Sequence, residues 1–167
     1  MSGTGMTGGT HLDALRAVVA RRAVGDDAAE VLEACRLAEA AALSMIGHQL
    51  FTVMRLHPEV MEVERLYSSR PDAYPPGGRK AKRDTPWGAH VLTAGKPYLG
   101  RGADDIRWAF DDHAVILGLG LETVINLPLR QDGVVIGTMN LLSGAGALDE
   151  THLATAETIA DLLANFL

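Results

Sequence analysis

The sequence predicts an α+β domain in which helices cover one face of an antiparallel sheet. Its clearest element is a β-hairpin, in which apolar runs over Thr123–Leu129 and Val134–Leu142 flank the tripeptide Gln131-Asp132-Gly133. Asp-Gly between β-forming runs is a strong hairpin signal, because both central residues of a type I′ turn need positive φ. Since both runs are apolar on both faces, we expect the hairpin inside the sheet, with helices on one side and another layer on the other.

Length, charge and cysteine content limit the class of protein. The 167 residues are enough for one domain with its own core. The net charge of −6 argues against sequence-independent binding of nucleic acid, which needs a basic surface. The single cysteine, Cys35, allows no internal disulfide and indicates a reducing compartment. No apolar run reaches membrane-spanning length and the N-terminus is not signal-like, so we predict a cytoplasmic protein with no membrane partner.

The N-terminal part of the chain is predicted to be helical after a short tail. Residues 1–9 are rich in Gly, Ser and Thr, and we expect them to be flexible. A helix over residues 10–25 begins at an N-cap, Thr10, and ends at a glycine. The main domain, residues 26–167, opens on a second helix that Asp26 or Asp27 caps. Small and apolar residues recur along one side of this helix, at Val31, Cys35, Ala38, Ala42 and Met45.

In the middle of the chain, alternating apolar and polar residues predict strands, and prolines and glycines predict where strands and helices end. Gln49–Leu56 and Val60–Tyr67 form two strands of a meander, separated by a proline. A short helix over Pro86–Ala94 has Thr85 as its N-cap and proline at its first position. A brief strand follows at Tyr98-Leu99. Two further helical turns open at Asp104 or Asp105 and at Asp111 or Asp112.

The C-terminal helix, from Asp149 to the last residue, carries an apolar surface wider than one face. A first stripe contains Leu153, Ala156, Ala160, Leu163 and Leu167, and a second contains Ile159, Leu162 and Phe166. The sheet can cover only part of that surface, so a helix of this chain's N-terminus or of a second copy must cover the rest. Because Phe166-Leu167 would be an exposed apolar end in a monomer, we predict a homodimer through the N- and C-terminal helices.

Pro128 predicts an irregularity beside the hairpin. With a two-residue loop, Pro128 lies opposite Gly137 in a non-hydrogen-bonded pair. Proline has no N–H, so at this position it cannot donate a hydrogen bond to the strand on the other side of it. We expect the ladder on that side to be short or bulged there. Such a gap commonly borders a cavity, although strain-free placement at an edge explains the proline equally well.

The order of elements resembles that of the GAF domain over about residues 26–167. Two phrases carry the resemblance, LETVINLPLRQDGVVIGTMNLLSG and TPWGAHVLTAGKPYLG. Leu127-Pro128-Leu129, then Gly133, then Val135-Ile136-Gly137 are similar to a recurrent run of that family. The resemblance implies a PAS-related central antiparallel sheet of five to six strands with N- and C-terminal helices on one face. Loops and short helices on the other face would close a small-molecule pocket, as in dimeric sensory modules.

Several departures from the family narrow what the resemblance implies. Family members bind cyclic nucleotides, bilins, haem or small metabolites. Cys35 lies on the first long helix, which excludes covalent bilin attachment, and one cysteine cannot run the disulfide relay of free-methionine sulfoxide reductases. The Asn-Lys…Phe…Asp-Glu pattern of cyclic-nucleotide phosphodiesterase GAF domains is also missing. The sequence does not identify a cofactor, and no spacing supplies a nucleophile–base pair or a metal set.

Aromatic side chains are concentrated where the pocket roof is expected. Six of the eight lie between positions 67 and 110, namely Tyr67, Tyr74, Trp87, Tyr98, Trp108 and Phe110. They suit a pocket for planar ligands, or they pack the small helices onto the sheet. His90 and His113 are candidates for haem ligation or a polar pocket contact. Asn126 and Asn140 need partners if buried, either within the protein or in a ligand.

One basic segment stands out in this acidic chain. The irregular stretch Ser68–Lys82 and its flank hold Arg70, Arg79, Lys80, Lys82 and Arg83. They form either a solvated loop or an electrostatic funnel for an anionic metabolite.

Together these observations predict a non-enzymatic sensory module for signal transduction. The predicted ligand is an unidentified small molecule, anionic or aromatic, contacted by Tyr67, Trp87, His90, Tyr98, Trp108, Phe110, His113, Asn126 and Asn140. The signal would pass through dimer helices or a partner chain. The alternatives are a ligand-free dimerisation or protein-interaction scaffold and, less favoured, an enzyme like the free-methionine sulfoxide reductases.

Overall fold

The structure, a computed structural model, describes residues 8–21 and 27–167. The strands are β1 Leu50–His57, β2 Glu62–Ser68, β3 Arg79–Ala81, β4 Tyr98–Gly100, β5 Thr123–Gln131 and β6 Val134–Ser143. The α-helices are α1 Gly8–Arg21, α2 Ala28–Met45, α3 Ala103–Ala109, α4 His113–Gly118 and α5 Leu153–Leu163. A π-helical turn covers Gly88–Thr93, and 3₁₀ turns cover Glu150–His152 and Ala164–Phe166.

The strands form one antiparallel sheet in the order β3-β2-β1-β6-β5-β4. This confirms the predicted α+β class. It also confirms the hairpin, whose strands β5 and β6 both have neighbours on each side. Asp132 and Gly133 have φ of 52° and 78°, as a type I′ turn requires. β3 is a strand that the sequence analysis missed within the basic segment, where it pairs with Glu62–Glu64 of β2.

A bulge in the hairpin corrects the predicted position of Pro128. Gln131 faces Val134 and Arg130 faces Val135, but Leu129 then faces Gly137 and Pro128 faces Thr138. The expected Pro128–Gly137 pair is wrong because this extra residue in β6 shifts the register by one.

The short ladder beside Pro128 is confirmed. β4 pairs with β5 from Val124 only as far as Asn126, so it ends before the proline. A hollow of about 220 Å³ lies there, lined by Pro97, Leu127, Pro128, Arg130, Glu157, Ala160 and Asp161.

The main core lies between the sheet and the three long helices α1, α2 and α5. Asp27 caps α2, because its Oδ1 accepts a hydrogen bond from the Ala29 N–H at 2.9 Å. The small residues of the predicted α2 seam are buried, as are Ala34 and Ala41 beside them. Met45 was assigned to this seam wrongly: it is 41% exposed.

The start of α1 corrects another expectation. α1 begins at Gly8, so Gly8 and Gly9 are helical and Thr10 lies within the helix instead of capping it. The predicted end of this helix at Gly25 and most of the predicted tail lie outside the described residues. Among the described residues no helix combines the length and apolarity needed to cross a membrane.

The C-terminal segment is covered by the chain itself. Asp149 caps its first turn, where its Oδ1 accepts from the Thr151 N–H at 2.9 Å. Phe166 is 1% exposed, so the expectation of an exposed apolar end is wrong. The Gln131 side chain donates to the carbonyl oxygens of Ala164 and Leu167, both at 2.8 Å, and fixes this end against the hairpin.

Candidate functional site

A cavity of about 50 Å³ lies on the face of the sheet opposite the three long helices. Two small apolar clusters pack on this face, one around Leu121 and Ile106 and one around Trp87 and Val91, and each contributes residues to the cavity wall. The residues that line the cavity are Leu50, Thr52, Met54, Val63, Arg65, Tyr74, Lys80, Lys82, Trp87, Phe110, Asp112, Ile116, Asn126, Thr138, Asn140 and Leu142.

Alternation along the strands brings the floor of the cavity together. In the register of the sheet, Asn140 of β6 lies between Thr52 of β1 and Asn126 of β5. Thr138 lies two residues before Asn140 and therefore shares its face. All four side chains are buried, with 5% exposure or less.

The four floor residues and Trp87, which precedes the π-helical turn, form one directed hydrogen-bond chain. The Trp87 indole Nε1–H donates to Asn126 Oδ1 at 2.9 Å. Asn126 Nδ2 donates to Asn140 Oδ1 at 2.8 Å, and Asn140 Nδ2 donates to the hydroxyls of Thr52 and Thr138, each at 3.1 Å. Because an indole N–H can only donate, it fixes the orientation of the first amide and through it that of the second.

The roof comes from β2, the segment around β3, and the approach to α4. Arg65 is 6% exposed, donates from Nη1 to the Pro75 carbonyl at 3.0 Å, and lies over the Tyr74 ring at 4.9 Å. Burial lowers the pKa of its guanidinium. Arg65 Nε is one of two buried side-chain nitrogens without a hydrogen-bond partner in the described part of the chain.

Lys82 is the second buried cation of the roof, at 7% exposure. Its Nζ lies 5.1 Å from the centre of the Trp87 ring and 5.9 Å from that of Phe110. Burial and the charge of Lys80 lower its pKa. Its backbone is fixed from both sides: the Lys82 N–H donates to the Met61 carbonyl at 2.8 Å, and the Lys82 carbonyl accepts from the Thr85 hydroxyl at 2.8 Å.

Asp112 is the only carboxylate in the lining and is already engaged. It pairs with Lys80 Nζ at 2.8 Å and accepts from the Tyr74 hydroxyl at 3.2 Å. Burial pushes the pKa of Asp112 upward, but the hydrogen bond and charge of Lys80 outweigh it and hold that pKa below its usual range. Three cationic side chains thus face one carboxylate in a chain whose net charge is −6.

Comparison with known proteins identifies the family. The GAF domain family model matches residues 23–167. The chain belongs to the GAF domain family. A search of curated proteins finds no match.

Solved structures share the fold of this GAF domain at low identity. The GAF domain of a phosphoenolpyruvate-protein phosphotransferase from Coxiella burnetii aligns with a TM-score of 0.69 and 14% identity, over 97% of this chain and 93% of that one. The GAF domain of a two-component sensor histidine kinase from Bacillus halodurans gives 0.66 and 12%, over 84% and 92%. Free methionine-R-sulfoxide reductase from Neisseria meningitidis, in complex with its substrate, gives 0.61 and 19%, over 99% and 92%.

Four of the nine predicted ligand-binding residues line the cavity of this GAF domain: Trp87, Phe110, Asn126 and Asn140. Tyr67 was expected in the roof but lies on the opposite face, where it packs on the main core and donates to the Glu39 carboxylate. The reason is a bulge: Val53 faces Tyr67 and Met54 faces Arg65, so Leu66 is an extra residue that turns Tyr67 away from the side of Arg65.

The other four predicted residues do not line the cavity. Tyr98 donates from its hydroxyl to the Asp105 carbonyl at 2.8 Å and stacks on Trp108 at 5.2 Å between ring centres. Trp108 is 49% exposed. His90 Nε2 lies 2.9 Å from the Pro97 carbonyl oxygen, and His113 is the first residue of α4. Tyr98 therefore packs against α3 instead of forming the cavity wall.

Several lining residues were absent from the predicted site. Arg65, Thr52, Thr138 and Asp112 were missed, whereas Lys80 and Lys82 appeared only within the basic segment. The sequence did contain a signal for Arg65. It lies two residues after Val63 in a predicted strand, so alternation places its charged side chain on the same face as the apolar Val63. Of the basic segment, only Lys80 and Lys82 line the cavity; Arg79 pairs with Glu62 at 3.0 Å and is exposed.

Cys35 lies in the main core, on the helix side of the sheet, and does not line the cavity. Burial raises the pKa of its thiol to about 12. Among the described residues, no group of His, Cys, Asp and Glu side chains is arranged to hold a metal ion.

Proposed function

We propose that this GAF domain is a cytoplasmic, non-enzymatic sensory module that binds a small molecule in the cavity under Arg65 and Lys82. The observation that carries the proposal is a contrast within the cavity. Trp87, Asn126 and Asn140 are already hydrogen-bonded to one another, whereas the cations Arg65 and Lys82 have no acidic partner in the described part of the chain. A pocket of this kind, largely apolar with a few convergent polar groups, is typical of small-molecule sites. The bound ligand would alter the roof, and the change would pass to the helices or to a partner chain.

The position of Cys35 supports a non-enzymatic function. Methionine sulfoxide reduction by a thiol needs an accessible thiolate and a resolving partner. A buried thiol with a pKa near 12 is protonated at neutral pH, and the chain has one cysteine. We therefore expect no turnover of free methionine sulfoxide; turnover that Cys35→Ser abolishes would favour the reductase alternative.

We also propose that the protein is a homodimer through its terminal helices. Leu32 and Leu43 lie on the same side of α2 and are 39% and 54% exposed, and a second copy could cover them. Sedimentation should show a dimer that Leu43→Glu weakens. The control is Val134→Glu, which changes a valine that is 64% exposed at the hairpin tip. A monomeric wild type would contradict this part of the proposal.

Ligand binding is tested by a thermal-shift screen of small neutral, anionic and cationic metabolites. Ile116→Phe enlarges a cavity-lining side chain and should abolish the shift caused by any ligand that binds there. Its control, Val115→Phe, adds the same ring one residue away at a position that is 54% exposed, and should leave the shift unchanged. If no compound of any charge stabilises the wild type, the domain is the ligand-free scaffold.

A further inference from the structure

The roof of the cavity contains two cations that lack an acidic partner. Arg65 Nε has no hydrogen-bond partner although the residue is 6% exposed. Lys82, at 7% exposure, contacts aromatic rings, and no hydrogen bond or ion pair of its Nζ is found in the described part of the chain. Buried charges are normally paired, so both side chains are suited to a ligand that brings negative charge.

The floor adds hydrogen-bond donors. Asn140 Nδ2 uses its two hydrogens on the oxygens of Thr52 and Thr138. Each threonine hydroxyl therefore still has its own hydrogen to donate. Asn126 Oδ1 already accepts a hydrogen bond from Trp87, Asn140 Oδ1 already accepts one from Asn126, and the Asp112 carboxylate is engaged by Lys80 and Tyr74. The cavity thus offers donors from above and below, which favours a ligand rich in acceptors.

The remaining wall is apolar and the space is small. Leu50, Leu142, Ile116, Met54 and Val63 line it beside the polar groups. The volume of about 50 Å³ lies well below the roughly 300–1,000 Å³ of pockets for drug-sized ligands. Only a few heavy atoms fit, and a ligand with both a charged and an apolar part would match this wall.

We propose that the cavity binds a short-chain carboxylate, whose carboxylate accepts hydrogen bonds from Arg65 and Lys82 and whose short tail packs against Ile116 and Leu142. This inference rests on the proposed ligand-binding function and specifies the class of ligand. Such a ligand pairs the two buried charges and keeps the apolar wall dry, which neither an inorganic oxyanion nor a neutral molecule does.

The fluorescence of Trp87 allows a direct test. The chain has two tryptophans, so Trp108→Phe leaves Trp87 as the single indole, and Trp87 lines the cavity. This protein is titrated at constant ionic strength with sodium acetate, propionate and butyrate. The controls are acetamide and propionamide, which match the carboxylates in size but are neutral, and inorganic phosphate. We expect saturable changes with at least one carboxylate and much weaker binding of the amides and phosphate.

Two charge variants locate the carboxylate. Lys82→Met and Arg65→Gln, in the same background, should each weaken carboxylate binding by about tenfold to a hundredfold, as expected for loss of one charge-assisted hydrogen bond. Arg83→Met removes the neighbouring exposed charge and should leave the affinity unchanged. Circular dichroism melts establish that each variant is folded, and the two charge variants test the same prediction independently.

The outcomes separate this inference from the function on which it rests. Two results would overturn the carboxylate site but leave a ligand-binding GAF domain. One is that the amides bind as tightly as the carboxylates. The other is that carboxylate binding is retained in both Lys82→Met and Arg65→Gln. Binding of phosphate in place of carboxylates would do the same. If neither these probes nor the wider screen gives any binding, both proposals fail.

Discussion

The two faces of the sheet are built from the same strands but have opposite chemistry. On the helix face, Phe51 and Val53 of β1 and Met139 and Leu141 of β6 are fully buried in an apolar core. The residues between them face the cavity and include Thr52 and Asn140, which are equally hidden but polar. The difference teaches that burial alone does not identify the core of this protein. In β1 and β6, the residues that face the helices stabilise the fold, and the alternate residues that face the cavity position polar groups there.

The two faces also differ in what a substitution removes. On the helix face a change removes apolar contacts that no ligand can replace. On the cavity face it removes a hydrogen-bond partner or a charge, and the effect depends on what the neighbouring polar group does afterwards. Substitutions on the two faces should therefore separate stability from binding.

The largest loss of stability is expected on the helix face, for Phe51→Ala. Phe51 is fully buried, so its truncation should lower the free energy of unfolding by about 3–5 kcal/mol, measured by urea denaturation. Ligand affinity of the folded fraction should change little, because Phe51 does not line the cavity. Val134→Ala, at a position 64% exposed, should change stability by less than about 0.5 kcal/mol. A Phe51→Ala protein of wild-type stability would remove the distinction between the faces.

A smaller loss, combined with loss of binding, is expected for Gly88→Ala. A Cβ on Gly88 would lie 2.4 Å from the Lys82 carbonyl oxygen and 2.8 Å from Thr85 Oγ1. The π-helical turn must then move away, taking Trp87 with it. We expect a loss of about 1–3 kcal/mol in unfolding free energy and at least a tenfold weaker ligand affinity. In Gly118→Ala, where a Cβ meets no atom within 4 Å, stability should be unchanged or higher. Retained binding in Gly88→Ala would show that the roof does not depend on this close approach.

The smallest effect, with the opposite sign, is expected for Lys82→Met without ligand. Arg65 and Lys80 carry the same charge as Lys82, whereas Asp111 and Asp112 carry the opposite charge. Burial and the charge of Lys80 together lower the pKa of Lys82 below its ordinary value. The unfolded chain then binds more protons than the folded one, so the wild type gains stability as pH rises through the folded pKa of Lys82. The Met variant should be about 1 kcal/mol more stable at pH 7, and the difference should shrink towards about pH 10.

Urea denaturation at several pH values measures this difference. Burial raises the pKa of Tyr98 to about 12, so alkaline destabilisation by tyrosines acts on both proteins and cancels in the comparison. Lys96→Met, which changes an exposed lysine, should show no such trend. A pH-independent difference would mean that Lys82 is fully charged and well solvated, which would weaken its assignment as a buried cation awaiting a partner.

Sequence reasoning located the elements better than it located the site. The hairpin, the strands of the meander and the cap at Asp27 followed from local patterns. Of the residues predicted to bind a ligand, Trp87, Phe110, Asn126 and Asn140 line the cavity. The errors arose from single extra residues. Leu66 turned Tyr67 to the helix face, and an extra residue near the hairpin loop moved Pro128 opposite Thr138. The extra residues, Leu66 and Ile136, are apolar and fit a strand, so neither residue itself marks its bulge.

Local sequence was enough to predict the hairpin turn, the cap at Asp27 and the antiparallel pairing of β5 with β6, because these depend on the backbone preferences of a few adjacent residues such as Asp132 and Gly133. Only the tertiary structure decided which of the basic residues became buried. Lys82 is inside and Arg83 outside because Met61 and Thr85 hold the Lys82 backbone and Gly88 permits a helical turn to approach its carbonyl. The contact between Met61 and Lys82 joins two segments that are distant in sequence, and no pattern within either segment contains it.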